Sequence, residues 1–559
     1  MSGQLACNGA HQKLQLICGT VSGLSGLAWQ TLGTCTATQN CDSTDGSCKT
    51  IIPQCVGQAS GFGYCEGVDI RHTCGPDLVT ATTMTCAGTC DPTLGCVAPR
   101  CGDHKVETGE QCDDGNDTPI DGCEPASASV GIPCTTSRVL SIAPGFGHTC
   151  ALFAGGYVRC WGANTAGQLG LGHAEFEGNL KPFQLTVFDT NSNPIPAGPV
   201  DLGGSATAIA AGTDFTCAIL TDRSVRCWGA NDQGQLGFGN TTPELTATPN
   251  SLGPVNVGGM ATAITLGGST ACVLLSDGTV RCWGANAGGL LGIGNANAVS
   301  ATTPAAQIPL VSLGTTATAV SVGNSNACAL LTGGTVRCWG DNFFGELGLG
   351  DHTARSASMV PSAYGPVLLP TAKTATSISV GSAFSCARLN DGTAECWGAN
   401  TDGQLGIGNT LAIGDTESPA TAGLVMAPAA GLTSIFVAGG QSTCSLFANG
   451  GGLHCWGDNA KGQLGYPDLT ARGNTPQNLP SNATAVPVIN FGTGLTATTL
   501  YLGFQHACAI LSNGALHCWG WNNNGQLGLG FVSSAPTDFV GGSSTTTPDT
   551  AVTAVQLFP

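Results

Sequence analysis

Along residues 137–559 the apolar positions come in short runs divided by glycine-rich polar turns. One such set is TAITLG (Thr262–Gly267), then CVLLSDGTVRC (Cys272–Cys282), then a tryptophan and a loop studded with glycine. Runs this short, bounded by turn formers and rich in β-branched residues, predict strands rather than helices. Ser276-Asp277-Gly278 predicts a three-residue hairpin loop with Gly278 in the left-handed position, pairing Leu275 with Thr279. Counting outward, Leu274 faces Val280, Val273 faces Arg281, and Cys272 falls opposite Cys282. Opposed residues of a non-hydrogen-bonded pair have Cα atoms about 4.5 Å apart, within the reach of a disulfide.

The pattern returns seven times. In six repeats the cysteines are ten residues apart: Cys150 and Cys160, Cys217 and Cys227, Cys272 and Cys282, Cys328 and Cys338, Cys386 and Cys396, Cys508 and Cys518. Cys444 and Cys455 are eleven apart, but their loop, Ala448-Asn449-Gly450-Gly451, is one residue longer, so Phe447 pairs with Gly452 and the cysteines are opposed again. A loop insertion that keeps the cysteines opposed is what a cross-strand bridge requires, and metal ligation would not demand it. Each such bridge is worth about 2–3 kcal/mol on the loop-entropy account.

After each second cysteine come Trp and Gly, then Asn, then a glycine turn. The turn reads G-Q-L-G at Gly167, Gly234, Gly403, Gly462 and Gly525, G-L-L-G at Gly289 and G-E-L-G at Gly345. Successive Cys-Trp-Gly anchors are 55 to 67 residues apart, too long for a WD-type blade but room for four strands with generous loops. Glycines at this spacing form a weak phosphate-loop signal, and seven copies in register read better as structural turns with the leucine inside. This composite motif resembles the regulator of chromosome condensation repeat, and the resemblance covers about residues 137–559. It implies an all-β fold, a seven-bladed β-propeller, which fits the physics. One such sheet alone cannot bury both faces, whereas radial stacking covers them and leaves no long free edge. The tail TAVTAVQLF (Thr550–Phe558) resembles a repeat-opening strand and is expected to close the ring beside the first blade.

Composition narrows the function classes. Acidic residues outnumber basic ones 35 to 17, for a net charge of −18, which argues against nucleic acid and anionic membranes as partners. The 29 cysteines include no C-x-x-C pair of the kind zinc sites favour, so disulfides in an oxidising compartment are the better reading, and an extracellular or cell-surface location is expected. The start of the chain shows no signal-peptide pattern. Fifteen cysteines lie in residues 1–136, which divide into two similar units, 1–50 and 51–98, and an acidic motif, 99–136. Unit two opens with Cys55, ten residues before Cys65, and unit one has no counterpart before Cys7. The odd cysteine therefore leads us to expect a longer N-terminus that carries its partner and the export signal. Segment 99–136 resembles a Cys-rich motif of bacterial surface and secreted proteins. Its Asp113, Asp114, Asn116, Asp117 and Asp121 offer hard oxygen ligands around glycine turns, so calcium is a candidate ligand, with Asx-turns in a disulfide knot as the alternative. The propeller itself calls for no cofactor.

No constellation of acid, base and nucleophile emerges, and the chain is expected not to be an enzyme. His148 and His506 occupy one repeat position, but Phe215, Thr270, Asn326, Phe384 and Ser442 occupy it in the other repeats, so it reads as a tolerant site and not a metal ring. The repeat resemblance includes a chromatin guanine-nucleotide exchange factor, whose role does not fit an acidic, disulfide-stapled chain. It also includes a secreted bacterial β-lactamase inhibitor, which makes protein binding, as interaction or adhesion, the leading expectation, with enzyme inhibition and then a secreted enzyme as the alternatives. Variable positions recur at the turns: Thr165-Ala166, Asp232-Gln233, Ala287-Gly288, Phe343-Phe344, Thr401-Asp402, Ala460-Lys461 and Asn523-Asn524. Phe343, Phe344 and Trp521 stand out as bulky aromatics where small or polar residues prevail. Candidate protein contacts are therefore Phe343, Phe344, Trp521, Thr165, Asp232, Gln233, Asp402 and Lys461, with packing on an adjacent blade as the alternative for the three aromatics, and the insertion from His173 to Val200 (Phe176, Phe183, Phe188) as a second surface.

Overall fold

The computed structural model divides into two compact units, Met1–Ser137 and Arg138–Pro559. It describes residues 138–175, 199–421, 425, 439–447, 452–482, 484–532 and 555 in full, and only the backbone of strands and a helix end elsewhere. In the first unit the strand order repeats. A three-stranded sheet (Leu5–Cys7, Leu14–Thr20, Leu27–Thr34) is followed by a hairpin (Gln39–Cys41, Cys48–Thr50). A second sheet (Gly63–Glu66, Ile70–Cys74, Ala81–Thr85) is followed by a second hairpin (Cys90–Asp91, Gly95–Cys96). Backbone register sets Cys41 opposite Cys48 and Cys90 opposite Cys96, so the two sequence units are two copies of one strand arrangement.

The second unit is all-β, a seven-bladed propeller of three-stranded antiparallel sheets. The first strands are Val139–Pro144, Ala206–Ala211, Ala261–Gly267, Ala317–Val322, Ala375–Val380, Leu432–Ala438 and Ala497–Leu502. The second strands begin at His148, Phe215, Thr270, Asn326, Phe384, Ser442 and His506, and the third strands end at Gly162, Gly229, Gly284, Gly340, Gly398, Gly457 and Gly520. First strands line the axis, because consecutive ones are neighbours around the ring and the last meets the first. Six of them carry a bulge one residue in, and in the sixth blade the register shifts between Leu432 and Phe436. In five blades the bulged residue is a threonine whose hydroxyl donates to a second-strand carbonyl, as Thr262 does to Leu274 at 3.0 Å.

The hairpin register is the one the sequence predicts. Cys272 faces Cys282, Leu274 faces Val280, and Gly278 takes φ +80°. In the sixth blade Phe447 pairs with Gly452 and Cys444 with Cys455. All seven bridges form, with Cα atoms 4.0–4.1 Å apart. Outside each third strand one residue of the returning chain donates its N–H to a third-strand carbonyl, for example Val255 to Val225 at 2.8 Å. Val555 is the seventh of these, donating to Leu516 at 2.9 Å. The described residue of the tail therefore sits on the outer edge of the last blade rather than beside the opening strand of the first. The physical reason is that blade 1 is already complete from Val139 onward and offers its outer edge to Val200, not to the tail. Among the described residues no helix is long and apolar enough to cross a membrane.

At the axis, the residue five before each first hairpin cysteine is glycine: Gly145, Gly212, Gly267, Gly323, Gly381, Gly439 and Gly503. A Cβ on Gly323 would lie 1.8 Å from the Gly381 carbonyl oxygen, one on Gly267 2.2 Å from that of Gly323, and one on Gly503 2.9 Å from that of Gly145. None of the seven has a positive φ, so glycine is required here by close approach between blades and not by backbone conformation. We therefore expect Gly323→Ala to destabilise the propeller by about 3 kcal/mol, the top of the usual overpacking range. Gly365→Ala, where a Cβ meets nothing within 4 Å, should be close to neutral. Equilibrium denaturation of the two variants checks this, and equal stabilities would refute the ring as a steric constraint.

Candidate functional site

Each third strand delivers a turn to the same end of the propeller as the glycine ring. Inside each turn the leucine is buried: Leu169, Leu236, Leu291, Leu347, Leu405, Leu464 and Leu527. The asparagine five residues earlier accepts that leucine's N–H through Oδ1 at 2.9–3.1 Å. Its Nδ2 donates to the carbonyl nine residues on, at His173, Asn240, Asn295, Asp351, Asn409, Asp468 and Phe531. The Gln side-chain oxygen accepts from the backbone N–H two residues before it, at Ala166, Gln233, Asp402, Lys461 and Asn524, and Glu346 does the same for Phe344. The tip side chains take no part in this frame, so their chemistry is free to differ.

The structure places the sequence-predicted residues as follows. Thr165, Asp232, Gln233, Ala287, Phe343, Thr401, Ala460 and Asn523 are exposed, while Ala166, Gly288, Phe344, Asp402, Lys461 and Asn524 are half-buried. Asp232 spends its carboxylate on local bonds from the Gln233 and Gln235 side chains, at 3.2 and 2.9 Å. Phe343 is 78% exposed, more than any other large apolar residue described, and meets Phe344 edge-on at 4.9 Å. Trp521 does not share that character. It is half-buried, edge-on to Phe146 at 5.5 Å, and Phe146 in turn packs on Phe504 at 5.0 Å. Trp521 thus belongs to an aromatic cluster over the seam of blades 7 and 1, because it follows the third-strand glycine directly and lies below the tip. Phe176 and Phe183, the side chain of Phe188, and Asp113, Asp114, Asn116, Asp117 and Asp121 lie outside the described residues.

Phe146 and Phe504 also line the mouth of the axial channel, a cavity of about 90 Å³ whose wall includes Thr213, Asn324 and Ser382 between the ring glycines. The ring escaped sequence reasoning, although its signal, a glycine five before the first cysteine in every repeat, is plain in the chain. Among the described residues no three His, Cys, Asp or Glu side chains gather to hold a metal ion.

A family model described as the regulator of chromosome condensation (RCC1) repeat matches residues 139–168, 206–235, 261–289, 317–346, 375–404 and 498–526. A second RCC1 repeat model matches 156–219 and 513–554. The chain is 27% identical over 404 residues to the ultraviolet-B receptor UVR8 of Arabidopsis thaliana, spanning 70% of this chain and 79% of that protein. It is 29% identical over 316 residues to a secretion-regulating guanine nucleotide exchange factor of Bos taurus, 56% of this chain and 62% of that one. To the human probable E3 ubiquitin-protein ligase HERC6 it is 30% identical over 267 residues, 47% of this chain but 24% of the ligase. Among solved structures, human WBSCR16 aligns with a TM-score of 0.50 and 19% identity, covering 70% of this chain and 94% of that one. Yeast RCC1 (Prp20), solved with Kap60, aligns with the same score and identity, covering 75% and 85%.

The two rim histidines are framework. His148 Nε2 donates to Thr216 Oγ1 of the next blade at 2.8 Å, since that hydroxyl gives its own proton to the Gln168 carbonyl. His506 Nε2 likewise donates to Thr149 Oγ1 at 3.0 Å, across the blade 7–1 seam. Their rings lie against Gly145 and Gly503, as those of Phe215 and Phe384 lie against Gly212 and Gly381, so in these four blades a ring fills the same place. Burial lowers His148 from 6.5 to about 4, and burial together with His148 lowers His506 to about 3. The unfolded chain therefore takes up protons below about pH 6.5 while the folded chain refuses them. Their stabilising share is complete above that pH and is lost as pH falls toward 4, by up to roughly 3 kcal/mol per histidine. His148→Phe/His506→Phe, which installs the ring found in two other blades, should flatten this loss between pH 6.5 and 4 in urea titrations. Glu395 acts in the opposite direction. It occupies the strand position that holds arginine in four other blades, and burial pushes it up to about 8. Stability is thus lost as pH rises from about 4.5 through 8, and Glu395→Gln should gain stability at pH 8 with little change at pH 4.

Proposed function

We propose that this chain works by binding another protein, since RCC1 repeat models match stretches within residues 139–404 and 498–554 and the chain is similar to proteins as unlike as an ultraviolet-B receptor and a probable E3 ubiquitin-protein ligase. The site is the rim of seven turn tips, and the location is outside the cytosol or at the cell surface. One observation carries the reading: the asparagine and leucine of the frame recur in all seven turns and the Gln position is kept in five, while the two tip residues change chemistry from turn to turn. A surface built that way varies where a partner touches and is constant where the fold needs it. Phe343 and Phe344 supply the kind of aromatic pair that anchors an interface, and their neighbours at the other tips are small or polar. The extracellular assignment draws on the seven bridges, since disulfides persist where the compartment is oxidising.

The full chain, immobilised with its disulfides intact, should retain one or a few defined proteins from the extracellular fraction of its source. Phe343→Ala/Phe344→Ala should weaken that retention by about 1–3 kcal/mol, roughly five- to 150-fold. An unchanged retained set would reject the tips as the contact surface. Loss of an enzymatic activity in the retained partner would assign the inhibitor role and not adhesion.

A further inference from the structure

The axial cavity opens at the centre of the seven turn tips, and its wall is built in layers. The residue before the ring glycine supplies an apolar floor: Pro144, Ala211, Leu266, Val322, Val380 and Leu502. The residue after the ring glycine forms the mouth, and here the blades differ in chemistry. Phe146 and Phe504 stand on blades 1 and 7, whereas blades 2, 4 and 5 bring Thr213, Asn324 and Ser382. Between mouth and floor the glycines present backbone alone. The mouth is also set in shape beforehand. Ser382 donates its N–H to the Gly440 carbonyl at 3.0 Å, its own carbonyl accepts the Ser325 hydroxyl at 2.8 Å, and its Oγ takes the Asn324 amide at 3.1 Å. Opposite, Phe146 is wedged between Phe504 and Trp521 at 5.0 and 5.5 Å. Groups held in this way give up little freedom when something docks on them.

The lining restricts what can enter. It contains no ionisable residue, so a charged group on the floor would be desolvated without a partner. A polar group would fare little better. The floor is aliphatic, and the carbonyls of Gly145, Gly268, Gly440 and Gly503 around it already accept N–H groups of neighbouring blades. Size narrows the choice again. An apolar cavity of about 150 Å³ takes a benzene molecule. At about 90 Å³ this one has room for an aliphatic side chain but not for an aromatic ring.

We propose that the axial cavity is a socket for one aliphatic side chain, leucine or one of its size, carried at the tip of a loop of the protein partner. The side chain passes the glycines to the apolar floor, and the backbone amides of the loop meet Thr213, Asn324 and Ser382 at the mouth. Two layers of unlike polarity match the two parts of such a loop, where a free hydrocarbon would leave the polar mouth unused. The socket lies at the centre of the tips, so a partner seated on the rim covers it. The proposal rests on the rim as the binding surface and goes further by fixing the chemistry of what enters at its centre.

The test titrates the full chain with labelled, disulfide-closed hairpin peptides that differ only in one tip residue: leucine, alanine, phenylalanine or aspartate. Binding is read by fluorescence anisotropy. The leucine peptide should bind about tenfold more tightly than the alanine peptide, with phenylalanine and aspartate no better than alanine. Ala211→Leu fills the floor with the residue that blades 3 and 7 carry at this position, and it should erase the preference for leucine. Asn324→Ala, at an exposed mouth position, should weaken all four peptides alike and keep the preference. A leucine peptide that binds no better than its alanine twin overturns the proposal. So does a preference for phenylalanine or aspartate, or a leucine preference that survives Ala211→Leu. If Phe343→Ala/Phe344→Ala weakens partner retention while the peptides bind alike, the socket falls and the rim as binding surface stands. If that double variant retains its partners unchanged while the leucine preference holds, the tips fall and the socket stands.

Discussion

One hydrogen bond per blade, from a tryptophan indole to a turn carbonyl of the preceding blade, is the interaction on which the ring depends. Trp228 donates to Gln168, Trp283 to Gln235, Trp339 to Leu290, Trp397 to Glu346, Trp456 to Gln404 and Trp519 to Gln463, all at 2.8–3.1 Å. Trp161 donates to Gln526 at 3.0 Å and so joins the first blade to the last. All seven rings are buried, so an indole that missed its acceptor would leave a desolvated donor at a cost of about 1–3 kcal/mol. Seven such donors make the relative register of neighbouring blades an all-or-none matter. The same bond that joins any two blades also joins the ends of the ring.

This bond ties the turn to the core. Its acceptor is the carbonyl of the Gln, Glu or Leu residue directly before the buried leucine, so every turn is fixed from its own blade by the asparagine and from the next blade by the tryptophan. Nearer the axis the limits are steric. Seven glycines meet seven carbonyls, and a wider residue at any one would push a whole blade outward. Between these two layers lie the disulfides, whose sulfur atoms fill buried volume between strands two and three. Three unlike constraints, polar, steric and covalent, thus act at three radii.

What the sequence made legible follows from range. The hairpins, the opposed cysteines and the inward leucines are settled by residues within about a dozen positions, and counting along one strand pair sufficed to place Cys444 against Cys455 despite the longer loop. The glycine ring and the indole bonds join residues some sixty positions apart, and nothing in a single repeat says which atom of the next blade each will meet. Glycine hides this best, because its role at Gly323 is an absence of atoms. Between the two readings open for Trp521, contact with a partner or packing on an adjacent blade, a single repeat offers no choice. The exposure of Trp521 depends on Phe146, which lies at the other end of the propeller sequence. The difference between Phe343 and Trp521 is a matter of two positions along the same turn, one at the tip and one below it.

The division between frame and tip also explains how a turn can gain charge without losing its shape. The frame asks two things of the Gln position: an acceptor for the tip N–H, and a backbone carbonyl for the next tryptophan. Glutamate meets both, as the Phe344 and Trp397 bonds at Glu346 show, and surrenders only the amide protons that the frame does not use. Leu290 meets only the second, and there the turn tightens into a short 3-10 segment, Ala287–Gly289. Substitution at this position is therefore graded. Leucine alters the local backbone, while glutamate keeps the backbone and alters the field at the tip. The fourth turn is where the architecture admits a buried negative charge at no cost to the bond that holds the ring together.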